Sequence, residues 1–332
     1  MRRRTGSAGV VVVGAGVLIG LVATAAGFGV SLDEGGYASR WDASPSQSRS
    51  LDGGLTYNVG NFFGDSGYEN FANQFTFSDG SGQAEVEQAV GEALDAWTAV
   101  DPATGLGAGF TFTAALGEAY SPFSPGAGAE IDIVAVDFGN SSPSGFTDRT
   151  VSGTVMMLSS GVAAGGGSAI NGADIRLNSN FTASWTIEQF RAVLIHELGI
   201  SLGLVDVDVP VDGFLPPFFD DNYDGTDSAT ALATLTNPWA DQIDPFDPEG
   251  TPGLQTFSVN DGDPGFDTEG VDIVMETEIP VSLLSDPTLS NDDYAGRQFL
   301  YPVVLAIPEP SVPALLLAGL CAVAFRRRRA GA

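Results

Sequence analysis

Apolar positions recur with two periods along this chain, and each change of period marks an element. Between Gly82 and Trp97, the residues Val86, Ala89, Val90, Ala93 and Trp97 share one face of a helix. Thr186 and Gln189 form a capping-box pair ahead of the run Phe190 to Leu202, which is apolar and free of proline, and Gly203 ends it. Ser290, with Asp293 as its box partner, opens a last short helix that runs through Leu300. Strand-like runs lie at Leu55 to Val59, Phe71 to Phe77, Gly109 to Thr113, Ile131 to Phe138, Gly153 to Leu158 and Ala173 to Leu177. Residues 207–270 are rich in Asp, Pro and Gly and read as long loops. No internal repeat is visible. The pattern predicts one mixed domain of α+β class over residues 55–302, preceded by a Ser/Gly-rich leader over 26–54.

The two ends follow neither period. Met1 to Arg4 is basic, Val10 to Val22 is apolar, and Ala23-Thr24-Ala25 offers the small residues a signal peptidase needs, so residues 1–25 read as an export signal. At the other end, Pro308-Glu309-Pro310 is followed by the apolar run Ser311 to Phe325 and by Arg326 to Arg329. That run is about 15 residues, short for a permanent span.

Composition narrows the function. All 13 basic residues are arginine, and seven of them sit at the ends, where there is no acidic residue. The part between has six arginines against 42 carboxylates, an excess of 36 negative charges. Such a surface repels phosphate and excludes nucleic acid as a partner, while it attracts cations. Hydrophobic residues make up 43% of the chain, enough for a core. The one cysteine, Cys321, lies in the C-terminal tail, so the body holds no disulfide and no thiolate metal site. His196 is the only imidazole, which rules out a zinc site built from two or three histidines of one chain.

The sequence from His196 to Asp206 reads HELGISLGLVD. On a helix, positions i and i+4 lie one turn apart on one face, so a histidine pair there can hold zinc. A glutamate after the first histidine can act as general base, and a glycine seven residues on lets the chain turn to bring in a third ligand. Here His196, Glu197, Gly203 and Asp206 are in place, and Ile200 stands where the second histidine would be. One imidazole and one carboxylate fall short of the three protein ligands of a catalytic zinc, and a replacement would have to be an oxygen, with Asp208 and Asp212 nearest in sequence. Such a site favours harder cations.

This stretch resembles the metzincin metalloproteases, and the matrixin type in particular. Further matches occur in order: EALDAW with FTF after it, ADIRLN before the motif helix, Val274-Met275 at the Met-turn position, and NDDYAGRQFLYP at the end. The resemblance implies a mixed twisted sheet packed on two long helices, with a short C-terminal helix after the Met-turn. It also implies that His196 and Asp206 are zinc ligands, Glu197 the general base and Met275 the turn residue. With Ile200 at the second-ligand position, zinc binding is expected to be weakened and peptidase activity impaired. The alternative is an active zinc endopeptidase with an unusual metal shell.

The three-part C-terminus over 303–332 resembles the PEP-CTERM sorting signal of Gram-negative bacteria. That resemblance implies processing by an exosortase, transient anchoring in the inner membrane, and a final place at the cell surface or in the extracellular polymer matrix.

A second constellation, Asp220, Asn222 and Asp224 before Gly225, has the spacing of the first half of a calcium loop, although position twelve is Ala231 in place of a glutamate. A surface turn explains the same residues. Asp261, Asp263 and Asp267 read as a solvated loop. If both ends are sorting signals, intact-mass analysis of the surface fraction will find a chain from near Ala26 to near Pro310. A species still carrying Arg326 to Arg329 would contradict this.

Overall fold

The computed structural model describes residues 28–30, 32, 37–41, 49, 51, 54–102, 104–118, 127–138, 155–164, 167–180, 185–206, 218–220, 274–276, 285 and 287–301. Four helices and eight strands are described: β1 (Phe28–Val30), β2 (Arg40–Trp41), β3 (Leu55–Asn61), α1 (Tyr68–Ala72), α2 (Gln83–Thr98), β4 (Phe112–Ala114), β5 (Ile131–Val136), β6 (Val155–Ala164), β7 (Gly167–Asn178), α3 (Ile187–Ser201), β8 (Phe218–Asp220) and α4 (Asn291–Leu300). Among these residues no helix is long and apolar enough to cross a membrane.

One mixed sheet organises the domain. β4, β3, β5 and β7 lie side by side and parallel, β6 runs antiparallel to β7, and β2 adds two parallel pairs at Ala169 and Ile170. β1 lies apart and pairs antiparallel with β8. The mixed α/β architecture agrees with the expected α+β class. Alternation along β3, β5 and β7 turns Val59, Ile131, Ile133, Ile175 and Leu177 into a single core with α2 and α3. The helical face expected in α2 is buried as Val86, Ala89, Val90, Ala93 and Trp97, joined by Leu94.

One expected strand is absent. Over Phe71 to Phe77 the alternating aromatics predict an extended run, yet Tyr68–Ala72 is helical. Tyr68, Phe71, Ala72 and Phe75 also satisfy helical spacing, and the short apolar run fits either period. Tertiary packing decides: Phe71, Phe75 and Phe77 gather edge to face around Phe190 of α3, with Trp185 closing the cluster.

The segment read as a leader contributes to the core. Phe28, Val30, Ala38 and Trp41 are buried, and Phe28 packs on Phe299 of α4. The Trp41 indole donates to the Ser201 carbonyl at 2.9 Å, capping the buried C-terminal end of α3. At that end Gly203 has φ 106°, and a side chain there would strike the Ser39 carbonyl, so glycine is required for both reasons.

Arginine closes the other helix. The buried Arg297 guanidinium donates through Nη1 to the carbonyls of Trp97 (3.1 Å) and Ala99 (2.6 Å), and through Nη2 to Leu106 (3.2 Å). The Trp97 and Ala99 carbonyls at the C-terminus of α2 have this guanidinium as donor, the Leu106 carbonyl also accepts from the Asp101 N–H, and a cation complements the helix dipole there. Replacing Arg297 with methionine keeps the bulk but strands the Trp97 and Ala99 carbonyls. Urea unfolding of Arg297→Met should show a loss of about 3 kcal/mol. A loss under about 0.5 kcal/mol would mean that water reaches those carbonyls.

Candidate functional site

The motif helix is pinned at both ends and along its flank. Thr186 accepts from the Gln189 N–H at 3.3 Å and Gln189 returns a bond to the Thr186 N–H at 3.1 Å, so the sequence-predicted capping box forms. Trp97 of α2 donates to the Ile195 carbonyl at 2.7 Å, one residue before the histidine. Gly199 faces the Trp97 ring and the Met275 sulfur so closely that an added Cβ would lie 2.6 Å from the indole. Only a bare backbone lets the tryptophan and Met275 seat against the helix.

His196 is fully buried, and each ring nitrogen has a partner. Nδ1 lies 2.6 Å from the Val274 carbonyl, which can only accept, so Nδ1 carries the proton. Nε2 therefore faces Asp206 Oδ1 at 3.1 Å and Glu197 Oε1 at 3.9 Å. A lone pair 3.1 Å from a carboxylate oxygen is repulsive unless a proton or a cation lies between them.

The 274–276 turn that supports the ring is itself held from α4. Asp293 is buried, and its Oδ2 accepts from the N–H of Ser290 (2.7 Å) and of Val274 (3.3 Å). Burial pushes its carboxyl up, and the bonds from Ser290, Val274 and Met275 oppose that shift. One carboxylate thus caps α4 and fixes the turn whose carbonyl orients His196. Sequence reading assigned Asp293 only the first of these roles.

The structure therefore brings together His196, Glu197, Asp206 and Met275. Ile200 is half-buried and packs against the core one turn beyond His196. Two ligands of a tetrahedral zinc lie about 3.3 Å apart, so the spacing of His196 and Asp206 suits one shared ion. Their number does not: among the described residues no group of three or more His, Cys, Asp or Glu side chains could hold a metal. Asp208 and Asp212 lie outside the described residues, as do Asn222 and Asp224, the 261–267 aspartates and the sorting motif Pro308, Glu309 and Pro310. Asp220 ends β8, paired with Phe28.

A second polar cluster was not anticipated. Asn58, Asp132 and Asp174 stand in one row across β3, β5 and β7, and all three are buried. Arg176 lies 3.5 Å from Asp174. Burial first, then the charge of Asp174, raises Asp132 to about 7, and burial raises Asp174 to about 6. The signal was present as polar residues alternating with Ile and Leu in EIDIV and ADIRLN, but alternation ordinarily means a solvated face.

No protein-family model matches the chain, and no curated protein is similar to it at a significant level.

Because the folded state holds these two protons more tightly than the unfolded chain, their contribution is fully present below pH about 4 and is lost as pH rises to about 7. The loss should be on the order of 3 kcal/mol. Urea unfolding at pH 4.5 and 7.5 should therefore show a smaller decline in Asp132→Asn than in the parent protein. Equal declines would count against a raised Asp132.

Proposed function

We propose that this is an exported, PEP-CTERM-sorted surface or matrix protein built on a matrixin-like metallopeptidase fold whose zinc site is incomplete. The observation that carries this reading is the contrast at α3. His196 Nε2 and Asp206 Oδ1 lie 3.1 Å apart with Glu197 beside them and Met275 beneath the helix, whereas Ile200 packs with the core. A mixed sheet against two long helices, followed by a short helix after the turn, supports the same fold. The n-region and cleavage triplet at one end, and the Pro-Glu-Pro, apolar and arginine segments at the other, support export and sorting. The partners on this reading are a signal peptidase, an exosortase-type enzyme and the extracellular polymer matrix.

Zinc supplies, where three protein ligands hold it, a polarised carbonyl and an acidified water. His196 and Asp206 alone leave the set one ligand short, so the domain acts here as a binding module with a disabled peptidase centre. The second reading, an active zinc endopeptidase with Glu197 as base, is favoured by one observation. Glu197 is retained and buried within 3.9 Å of the imidazole, where a helix with no chemistry has no need of a carboxylate.

Restoring the missing ligand separates the two readings. Position 200 lies one turn from 196, and the helix propensity of His differs from that of Ile by only a few tenths of a kcal/mol. After dialysis against a mild chelator, the parent protein should carry almost no zinc. Ile200→His should retain about one equivalent and cleave a generic peptide library, with the cleavage abolished by Glu197→Ala. Stoichiometric zinc in the parent would favour the active enzyme. A folded Ile200→His protein without zinc would overturn both readings of the site.

A further inference from the structure

Asp206 stands beyond the last turn of α3, so helix geometry alone does not hold it 3.1 Å from His196 Nε2. The helix reaches as far as Leu204, whose N–H donates to the Gly199 carbonyl at 3.1 Å. The next N–H, that of Val205, turns away from the helix and donates to the Gly29 carbonyl of β1 at 3.1 Å. Val30 and Leu204 form an antiparallel bridge beside that bond. On its other edge β1 pairs with β8, in the register Phe28 with Asp220, Gly29 with Phe219 and Val30 with Phe218. One short strand therefore binds the two residues before Asp206 and also the next strand after it.

The strand is docked from outside the site. Phe28 packs on Phe299 of α4 with ring centroids 5.3 Å apart. Gly296 of α4 leaves the room, since an added Cβ would lie 2.7 Å from Leu204 and 3.1 Å from the Phe28 Cβ. Further along, the Ser39 carbonyl closes on Gly203, and Arg40 and Trp41 donate to the Leu300 and Ser201 carbonyls. A two-stranded ribbon of this length is not stable by itself, so β1 keeps its place through the buried side chains of Phe28 and Val30. The imidazole is supported separately, by the Val274 carbonyl at Nδ1.

We infer that β1 is a positioning element of the His196 site: docked on α4 through Phe28, it sets where Asp206 stands, while the Val274 turn sets the ring. The pair is assembled only when the N-terminal strand is in place. Loosening β1 frees the carboxylate and leaves the imidazole where it is. This positioning is the same whichever reading of the zinc centre holds.

Nitrogen NMR of the single histidine in the full chain, with chelator present and at one pH, tests this. Asp206→Ala supplies the Nε2 signal of a ring that has lost its carboxylate. Phe28→Ala should move the Nε2 signal most of the way to that position, and Asp206→Ala added to it should move it little further. The Nδ1–H signal, which reports the bond to Val274, should stay in place throughout. Phe71→Ala removes a fully buried ring from α1 near the opposite end of α3. It should destabilise the protein by a comparable amount and leave the Nε2 signal unchanged. An unmoved Nε2 signal in folded Phe28→Ala, or an equal shift in Phe71→Ala, would overturn this positioning role. Should Phe28→Ala fail to fold, amide exchange in the parent protein decides. The Val205 amide should open together with the amides of β1, about tenfold or more faster than those of Leu194 and Leu198 within α3. A Val205 amide that opens only with α3 would show that β1 does not hold it.

Discussion

The contact between the motif helix and the turn at Val274-Met275 is the constraint on which the centre of this protein depends. It exists because Gly199 has no side chain, which lets the Trp97 ring and the Met275 sulfur come against the backbone of α3. The same turn points the Val274 carbonyl at His196 Nδ1, 2.6 Å away, and so leaves Nε2 facing Glu197 and Asp206. Asp293 fixes the turn from the far side while capping α4. Two helices distant in sequence thus orient a single imidazole through one short loop. A metal ligand needs its outer hydrogen-bond partners to hold tautomer and direction. On the matrixin-like reading proposed above, those partners are retained although Ile200 stands at the second-ligand position.

Scarcity of positive charge shapes the rest. With six arginines and no lysine in the body, positive charge is scarce, and the described arginines are committed to backbone carbonyls and carboxylates. Arg297 closes the C-terminus of α2, Arg40 donates to the Leu300 carbonyl at 2.7 Å, Arg49 donates to the Gly128, Ala129 and Asn171 carbonyls, and Arg176 lies 3.5 Å from Asp174. Arg191 bridges Glu92 of α2 and Glu188 of α3. Guanidinium suits these places because its fixed donors satisfy several oxygens at once and its charge persists when buried. The excess of carboxylates over arginines makes the chain strongly anionic.

Much of this was legible in the sequence, and the exceptions have physical causes. The faces of α2 and α3, the Thr186 and Ser290 boxes and the turn at Gly203 follow from local rules that act within a few residues, so they were readable. His196 and Glu197 were readable because they are adjacent on α3, and Asp206 because the turn at Gly203 brings the chain back toward His196. The helix at Tyr68–Ala72 was missed because its aromatic spacing fits both periods and packing against Phe190 chose between them. The Asp132–Asp174 row was missed because lateral pairing of β5 and β7 is a tertiary fact, and nothing local marks the polar face of a strand as buried. The second role of Asp293 and the reach of Arg49 are long-range for the same reason.

On the proposed function, the constellation around one imidazole is retained but lacks the ligands to keep zinc. Because His196 is the sole histidine, nitrogen NMR of its ring reports on that claim without overlap from any other residue. The ring should be protonated at Nδ1, and its Nε2 signal should return to its metal-free position when zinc is added and then challenged with a mild chelator. A zinc-bound Nε2 signal that survives the chelator, or a ring protonated at Nε2 alone, would contradict it.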